Sequence, residues 1–147
     1  MKSETIVTEV VKTKSVTGPK KLLNLFSSQP QAGFPSPGDD QVERVLDIND
    51  LVVKNPASTF FVRVSGDSME GAGIFDKDVL VVDRAIDHKD GRIVVAAVNG
   101  ELVVKRLKQT ASELFLISEN EAYQPIRVSE SEECFVWGVV VGSVRTF

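Results

Sequence analysis

Residues 93–105 read Ile93-Val94-Val95-Ala96-Ala97-Val98-Asn99-Gly100-Glu101-Leu102-Val103-Val104-Lys105, and this stretch decides the fold. An Asn-Gly pair between two β-branched runs is a strong signal for a tight two-residue turn, so the stretch predicts a β-hairpin. Further short apolar runs, separated by turn residues, are found at 60–64, 79–82, 114–117 and 135–144. Together they predict a mainly β fold, as a small barrel or sandwich.

The amino-terminal part has a different composition. We predict an arm over residues 1–40 and a compact domain over residues 41–147. In the arm, apolar residues at 6–11 suit either a short helix or a β-ribbon, and those at 22–26 favour one or two amphipathic helical turns. From 42 to 52, the apolar spacing predicts one or two helices that end before Asn55-Pro56.

Charge and cysteine content narrow the function classes. The net charge is −4, but residues 1–32 carry +3 and the remainder carries −7. An acidic domain argues against a DNA-wrapping surface, while the basic arm is open to two roles, contact with nucleic acid or pairing with the acidic domain. The single cysteine, Cys134, excludes an internal disulfide and is expected to be a buried, inert thiol. Neither a membrane span of about 20 apolar residues nor a signal peptide is apparent, so we expect a cytoplasmic protein.

Ser68 is the candidate nucleophile. It follows Gly66, which permits a sharp turn after the strand at 60–65, and it precedes Met69 and Glu70, which open a possible helical turn. Such a turn would expose the Ser68 hydroxyl and direct backbone N–H groups, including that of Met69, toward a developing oxyanion. The alternative is a helix N-cap made by Ser68 or Asp67.

A serine needs a base, and Lys105 is the candidate. The only histidine, His88, lies in a charged turn and is predicted to be a surface residue. Side chains alternate along a strand, so either Lys105 or Arg106 must lie against an apolar surface, and only a lysine can lose its proton there. The alternative is a Lys105 side chain that extends to solvent over the valines.

Two other segments were considered, one as a cleavage site and one as a metal site. Three prolines and two glycines in residues 27–38 favour an extended, accessible chain, so Ala32-Gly33 is a candidate scissile bond; the alternative is a plain linker. The carboxylates of Asp76, Asp78 and Asp83 lack a nearby histidine or cysteine, so we expect no metal site and no cofactor.

The motifs in order resemble the UmuD-like branch of the LexA-type self-cleaving proteins, over about residues 33–146. Those that carry the resemblance are Ala32-Gly33-Phe34-Pro35, Ser65-Gly66-Asp67-Ser68-Met69, Val79-Leu80-Val81-Val82-Asp83, Val103-Val104-Lys105-Arg106-Leu107, Asn120-Glu121-Ala122-Tyr123 and Trp137-Gly138-Val139-Val140. Residues 1–19 depart from the family pattern.

This resemblance implies a small, barrel-like LexA-type protease fold of twisted, mostly antiparallel sheets, present as a homodimer. It implies that Ser68 attacks the Ala32-Gly33 bond with Lys105 as general base and the Met69 N–H in the oxyanion site. Cleavage would be stimulated by a RecA–single-stranded DNA filament, and the shortened dimer would join a UmuC-like Y-family polymerase in error-prone translesion synthesis during the SOS response. No sequence-specific DNA binding and no membrane partner are expected.

Two competing functions remain. The first is a LexA-like or phage-type self-cleaving repressor, which needs a helix-turn-helix domain of roughly sixty residues before its cleavage site. Only 32 residues precede Gly33 here, and they lack two periodic helices. The second is a signal-peptidase-like enzyme with the same dyad, which is disfavoured because membrane anchorage is missing.

Overall fold

A computed structural model of the chain describes residues 3–11, 22–26, 42–128 and 134–147. The strands are β1 Ile6–Val11, β2 Leu22–Phe26, β3 Val42–Asp47, β4 Thr59–Ser65, β5 Val79–Asp83, β6 Ile93–Val98, β7 Glu101–Gln109, β8 Leu114–Ile117, β9 Ile126–Arg127 and β10 Cys134–Val144, with one short helix, α1 Ile48–Val52, and 3₁₀ turns at Pro56–Ser58 and Glu70–Ala72. The chain divides into two compact units, one of Met1–Thr13 with Asn55–Phe147 and one of Lys14–Lys54.

The larger unit is an antiparallel sheet whose strands form a ring. The strand order is β1-β4-β5-β10-β6-β7-β8-β9, and an additional pairing between β1 and β7 joins Ile6 to Val103. This pairing closes a ring of six strands, from which β8 and β9 extend beyond β7. Strand β1 therefore lies between β4, which leads to Ser68, and β7, which carries Lys105.

Successive side chains of these strands point to opposite faces of the sheet, and the apolar ones form two clusters. One contains Val62, Val64, Met69, Leu80, Val82, Val95 and Val104. The other contains Val94, Ala96, Val103, Leu107, Leu116 and Val139. Because neighbouring positions on β7, such as Val103 and Val104, join different clusters, this strand is covered on both faces.

The smaller unit contains β2 paired antiparallel with β3, followed by α1. The Asp47 side chain caps α1 by accepting a hydrogen bond from the Asn49 N–H at 2.8 Å. The helical prediction for residues 22–26 is therefore wrong, and the predicted helix over 42–52 is correct only from Ile48 onward. The spacing of apolar residues in these short runs suits either structure, and β2–β3 pairing selects the strand.

The predicted strands of the larger unit are confirmed. The hairpin between β6 and β7 turns at Asn99 and Gly100, whose φ angles of 51° and 81° are the left-handed values that such a turn requires. The open choice for residues 6–11 is resolved as strand β1. Cys134 was expected to be buried but is only half-buried, and its partial burial raises the pKa of its thiol. Among the described residues, no helix is both long and apolar enough to span a bilayer.

Candidate active site

Ser68 lies on the turn that follows β4. The turn is sharp because Gly66 adopts φ 113°, in the left-handed region that favours glycine. The backbone carbonyl of Met69 accepts hydrogen bonds from the N–H groups of Ala72 and Ile74 at 3.0 and 3.2 Å, which fixes the following turn. The Ser68 side chain is completely buried, and its Oγ accepts the Thr5 N–H at 2.8 Å. Ser68 thus makes no helix cap.

Asp67 ties this turn to two other segments. Its backbone N–H donates to the Ser3 carbonyl at 2.8 Å, and its carboxylate accepts the Ser3 N–H at 3.1 Å and the Tyr123 hydroxyl at 2.7 Å. The Tyr123 hydrogen bond, followed by that of Ser3, lowers the pKa of Asp67. Burial and the same hydrogen bond raise the pKa of Tyr123 to about 12. The Asn120 amide adds a hydrogen bond to the Asp67 carbonyl at 3.2 Å.

Lys105 is buried on β7, with 1% of its surface exposed. Burial lowers the pKa of its amine from 10.5 to about 8, because the charged form loses its hydration. Nζ contacts the Glu4 carboxylate, donates to Ser118 Oγ at 2.7 Å and lies 5.8 Å from the centre of the Tyr123 ring. The Glu4 carboxylate opposes the effect of burial, since an adjacent anion favours the charged amine.

The Glu4-Thr5 dipeptide lies between the two candidate catalytic residues. Its Thr5 N–H donates to Ser68 Oγ, its Thr5 carbonyl accepts the Val104 N–H at 3.0 Å, and its Glu4 carboxylate contacts Lys105. Within the described part of the chain, no hydrogen bond joins Ser68 to Lys105. The side chains of Ser68 and Lys105 therefore both contact one short extended segment, Glu4-Thr5, which lies between them.

The competing side chains are placed elsewhere. His88 is exposed. Arg106 is half-buried and pairs with Glu119, so Lys105 is the one of these two neighbours that is fully buried.

The three aspartates considered for a metal site each have a structural partner. Asp76 accepts the Gly66 N–H at 3.1 Å, Asp78 pairs with Arg145 at 2.7 Å, and Asp83 accepts hydrogen bonds from Asn55 and Ser58, both at 2.7 Å. The described residues contain no cluster of three or more histidine, cysteine or acidic side chains suited to a metal ion.

Ala32 and Gly33 lie outside the described residues, so the scissile-bond prediction stays a prediction. Sequence reasoning missed Glu4, Ser118 and Tyr123. Tyr123 stood within a quoted family motif but was given no role, and nothing in the local sequence marks Glu4 or Ser118 as neighbours of Lys105. Their contacts join residues 13 to about 100 positions apart, which periodicity cannot detect.

The segment after β8 also lines a cavity of about 660 Å³. Its walls include Ser118, Asn120, Tyr123, Phe115 and Pro125. Neither Ser68 nor Lys105 is among its lining residues.

Comparisons with known proteins place the chain in a family. The Peptidase S24-like family matches residues 24–141. Protein ImpA of Salmonella typhimurium is 42% identical over 122 residues, which cover 79% of this chain and 79% of that protein. Protein SamA of Salmonella typhimurium strain LT2 is 42% identical over 121 residues, covering 82% of this chain and 84% of that protein. The LexA repressor of Aliivibrio salmonicida is 38% identical over 119 residues, covering 80% of this chain and 57% of the repressor.

The family match spans most of the chain, including both candidate catalytic residues. Ser68 and Lys105 lie within residues 24–141, whereas Glu4 and Thr5 precede that range. The mainly β fold agrees with the fold expected for this family. The chain therefore belongs to the Peptidase S24-like family, as a UmuD-like member of the LexA/UmuD group.

Proposed function

We propose that this protein is a self-cleaving serine peptidase that cuts its own Ala32-Gly33 bond. The observation that carries the proposal is the position of a buried serine and a buried lysine on either side of one extended backbone segment. A lysine in this environment can lose its proton near neutral pH, which an exposed lysine cannot do.

In the proposed reaction, Ser68 Oγ attacks the Ala32 carbonyl carbon while neutral Lys105 accepts the hydroxyl proton. The developing oxyanion is stabilised by backbone N–H groups of the Ser68 turn, with that of Met69 as the candidate donor. The Ala32-Gly33 bond then breaks, and the proton on Lys105 passes to the Gly33 amine. Water hydrolyses the Ser68 ester, which releases residues 1–32 and regenerates the enzyme.

Ser118 and Asp67 position these groups. The Ser118 hydroxyl accepts a hydrogen bond from Lys105 and so orients its amine. Asp67 fixes the turn that presents Ser68, through its hydrogen bond from Tyr123. No step of this reaction needs a metal ion or an organic cofactor.

The proposal extends to the cellular role expected for a UmuD-like protein. Cleavage is stimulated by a RecA–single-stranded DNA filament, and the shortened homodimer then serves in the cytoplasm as a subunit of an error-prone translesion polymerase with a UmuC-like partner. We retain the division into an arm over 1–40, which contains the cleavage site, and a catalytic domain over 41–147. In the structure, residues 6–11 of this arm pair with the sheet of the larger unit.

A self-cleaving repressor of the LexA type is the second candidate, because a LexA repressor is also a relative. The share of each relative that the match covers favours the UmuD-like function, because the chain matches 79% of ImpA and 84% of SamA but only 57% of the repressor. A gel-shift assay with random-sequence duplex DNA distinguishes the two, since selective retention of one sequence would support the repressor.

The proposed cleavage is tested by intact mass spectrometry of the purified full chain after incubation at pH 9, with and without RecA filament. We expect fragments 1–32 and 33–147 from the parent chain and none from Ser68→Ala or Lys105→Ala. Fragments from either variant would refute the dyad, and a different pair of masses would refute the assigned bond.

A further inference from the structure

Strand β1 fills the groove between β4, which leads to Ser68, and β7, which carries Lys105. β1 pairs antiparallel with β4 from Ile6 opposite Ser65 to Val11 opposite Phe61, and it pairs with β7 at Ile6 and Val103. Addition of an extended peptide to strand edges is a common mode of peptide recognition. The groove between β4 and β7 is therefore a strand-binding site, and residues 3–11 are its occupant.

The contacts around Ser68 continue this pairing into the active site. The Thr5 N–H is hydrogen-bonded to Ser68 Oγ, and the Ser3 backbone exchanges hydrogen bonds with Asp67. The Glu4 carbonyl oxygen lies so close to Gly66 that a Cβ there would be 2.1 Å from it. A second peptide cannot reach Ser68 while this backbone is in place.

The bound segment also opposes catalysis chemically. The Glu4 carboxylate contacts Lys105, which favours the charged amine, whereas a general base must be neutral. The Ser68 hydroxyl accepts a hydrogen bond from the Thr5 amide, and no hydrogen bond links it to Lys105 in the described part of the chain. Both catalytic groups are thus engaged by neighbouring residues of one segment.

Two features of residues 3–11 weaken their binding in the groove. Thr5 Oγ1 is buried without a hydrogen-bond partner among the described residues, which penalises the bound state. Further along β1, Thr8, Glu9 and Val10 are exposed. Residues 3–11 also precede the range 24–141 matched by the family, so this occupant is additional to the family's common region.

We propose that the groove between β4 and β7 binds one extended strand at a time, and that residues 3–11 occupy it as an internal inhibitor that must leave before the cleavage segment can reach Ser68. This inference rests on the proposed self-cleavage at Ala32-Gly33. It assigns the regulation of that site to a second segment of the same chain.

The test uses the full chain and two variants of the occupant. Glu4→Gln removes the carboxylate beside Lys105, and Thr5→Pro removes the N–H that reaches Ser68. Glu9→Gln is the matched control, because it makes the same chemical change on β1 at a residue paired with exposed Arg63. Two rates are measured at pH 7.5: fragment formation by intact mass, and covalent labelling by a small fluorophosphonate. Labelling forms a bond between Ser68 Oγ and phosphorus, with loss of fluoride and of the serine proton.

We expect both rates to rise about threefold in Glu4→Gln, because at pH 7.5 a fall of one unit in a lysine pKa of about 8 raises the neutral fraction from about one-quarter to about three-quarters. We expect both rates to rise in Thr5→Pro as well, because the Ser68 hydroxyl loses the Thr5 N–H that engages it. Glu9→Gln should match the parent. Equal or slower rates in the two variants, with Ser68-dependent fragments still formed, would overturn the inference and leave the proposed function standing. Faster labelling without fragments would support the occupancy and refute the assigned bond. Absence of both labelling and fragments in every chain would overturn both proposals.

Discussion

Replacement of Lys105 by methionine should stabilise the folded protein, because the buried amine carries a desolvation cost. Lowering the pKa from 10.5 to about 8 corresponds to about 3 kcal/mol at neutral pH, at about 1.4 kcal/mol per unit. The variant also loses the contacts of Nζ with Glu4 and Ser118, but both partners are partly exposed and can be hydrated instead. We therefore expect Lys105→Met to raise the free energy of unfolding by about 1–3 kcal/mol at pH 7.

The sign of the pH dependence follows from the direction of the shift. Between pH 8 and 10.5 the unfolded state binds more protons at Lys105 than the folded state, so the stability of the parent rises with pH in this window. The difference in the free energy of unfolding between Lys105→Met and the parent should be largest below pH 8 and should shrink toward zero above pH 10.5.

The assay is urea unfolding, carried out in a Ser68→Ala background so that every chain stays intact. Lys108→Met is the matched control, because Lys108 is an exposed lysine on the same strand. A Lys105→Met variant that is less stable than its parent at pH 7, or whose advantage does not change with pH, would refute the claim that Lys105 is held at a desolvation cost.

Substitutions at three further positions test separate parts of the account. Gly33→Glu should prevent fragment formation, as judged by intact mass, because a large charged side chain at the scissile bond obstructs the approach of Ser68; normal processing would move the cleavage site elsewhere. Ser118→Ala should slow cleavage several-fold by releasing the Lys105 amine, and Ser118→Thr should restore the rate because it keeps the hydroxyl. Arg145→Met should cost about 3 kcal/mol in urea unfolding at pH 7 because it leaves buried Asp78 unpaired. Arg145 lowers the pKa of Asp78, so this loss should diminish as the pH falls and the carboxylate becomes protonated; a loss unchanged by pH would contradict the pairing.

The strands of the larger unit were predictable because local signals agree there. β6 and β7 are β-branched, and the Asn99-Gly100 turn between them needs two left-handed residues, which this pair supplies. Alternation along β7 also required that Lys105 or Arg106 be buried, and the structure buries Lys105. In these elements, propensity, turn chemistry and burial give the same answer.

The secondary-structure predictions were wrong where the spacing of apolar residues fits both a helix and a strand. The apolar residues of Leu22–Phe26 and Val42–Asp47 are compatible with helical turns, but each run pairs with the other as a strand. Pairing between segments about 20 residues apart leaves no local trace in either run. The choice for Ile6–Val11 stayed open for the same reason, since its partner residues lie 50 or more positions away.

Of the residues in the candidate site, only the proposed nucleophile and the proposed base could be predicted from the sequence. Ser68 on a glycine turn and Lys105 among valines carry local signals of a nucleophile and a base. Glu4, which contacts Lys105, and Ser118, which accepts its hydrogen bond, became visible only when the ring of strands closed. Regulation of the site by residues 3–11 is therefore a consequence of topology rather than of any motif.

The pH–rate profile of self-cleavage tests the central claim most directly, because it reports the ionisation of the base. The groups that face Lys105 are Glu4, which precedes β1, and Ser118 and Tyr123 from the segment after β8. Tyr123 has a pKa of about 12 and the lysine a pKa of about 8, so the lysine and not the tyrosine should titrate between pH 7 and 9. The account predicts a rise of about tenfold over this range, as the neutral fraction of a lysine of pKa about 8 increases. A rate that is flat from pH 7 to 9 would contradict the assignment of Lys105 as the base for Ser68.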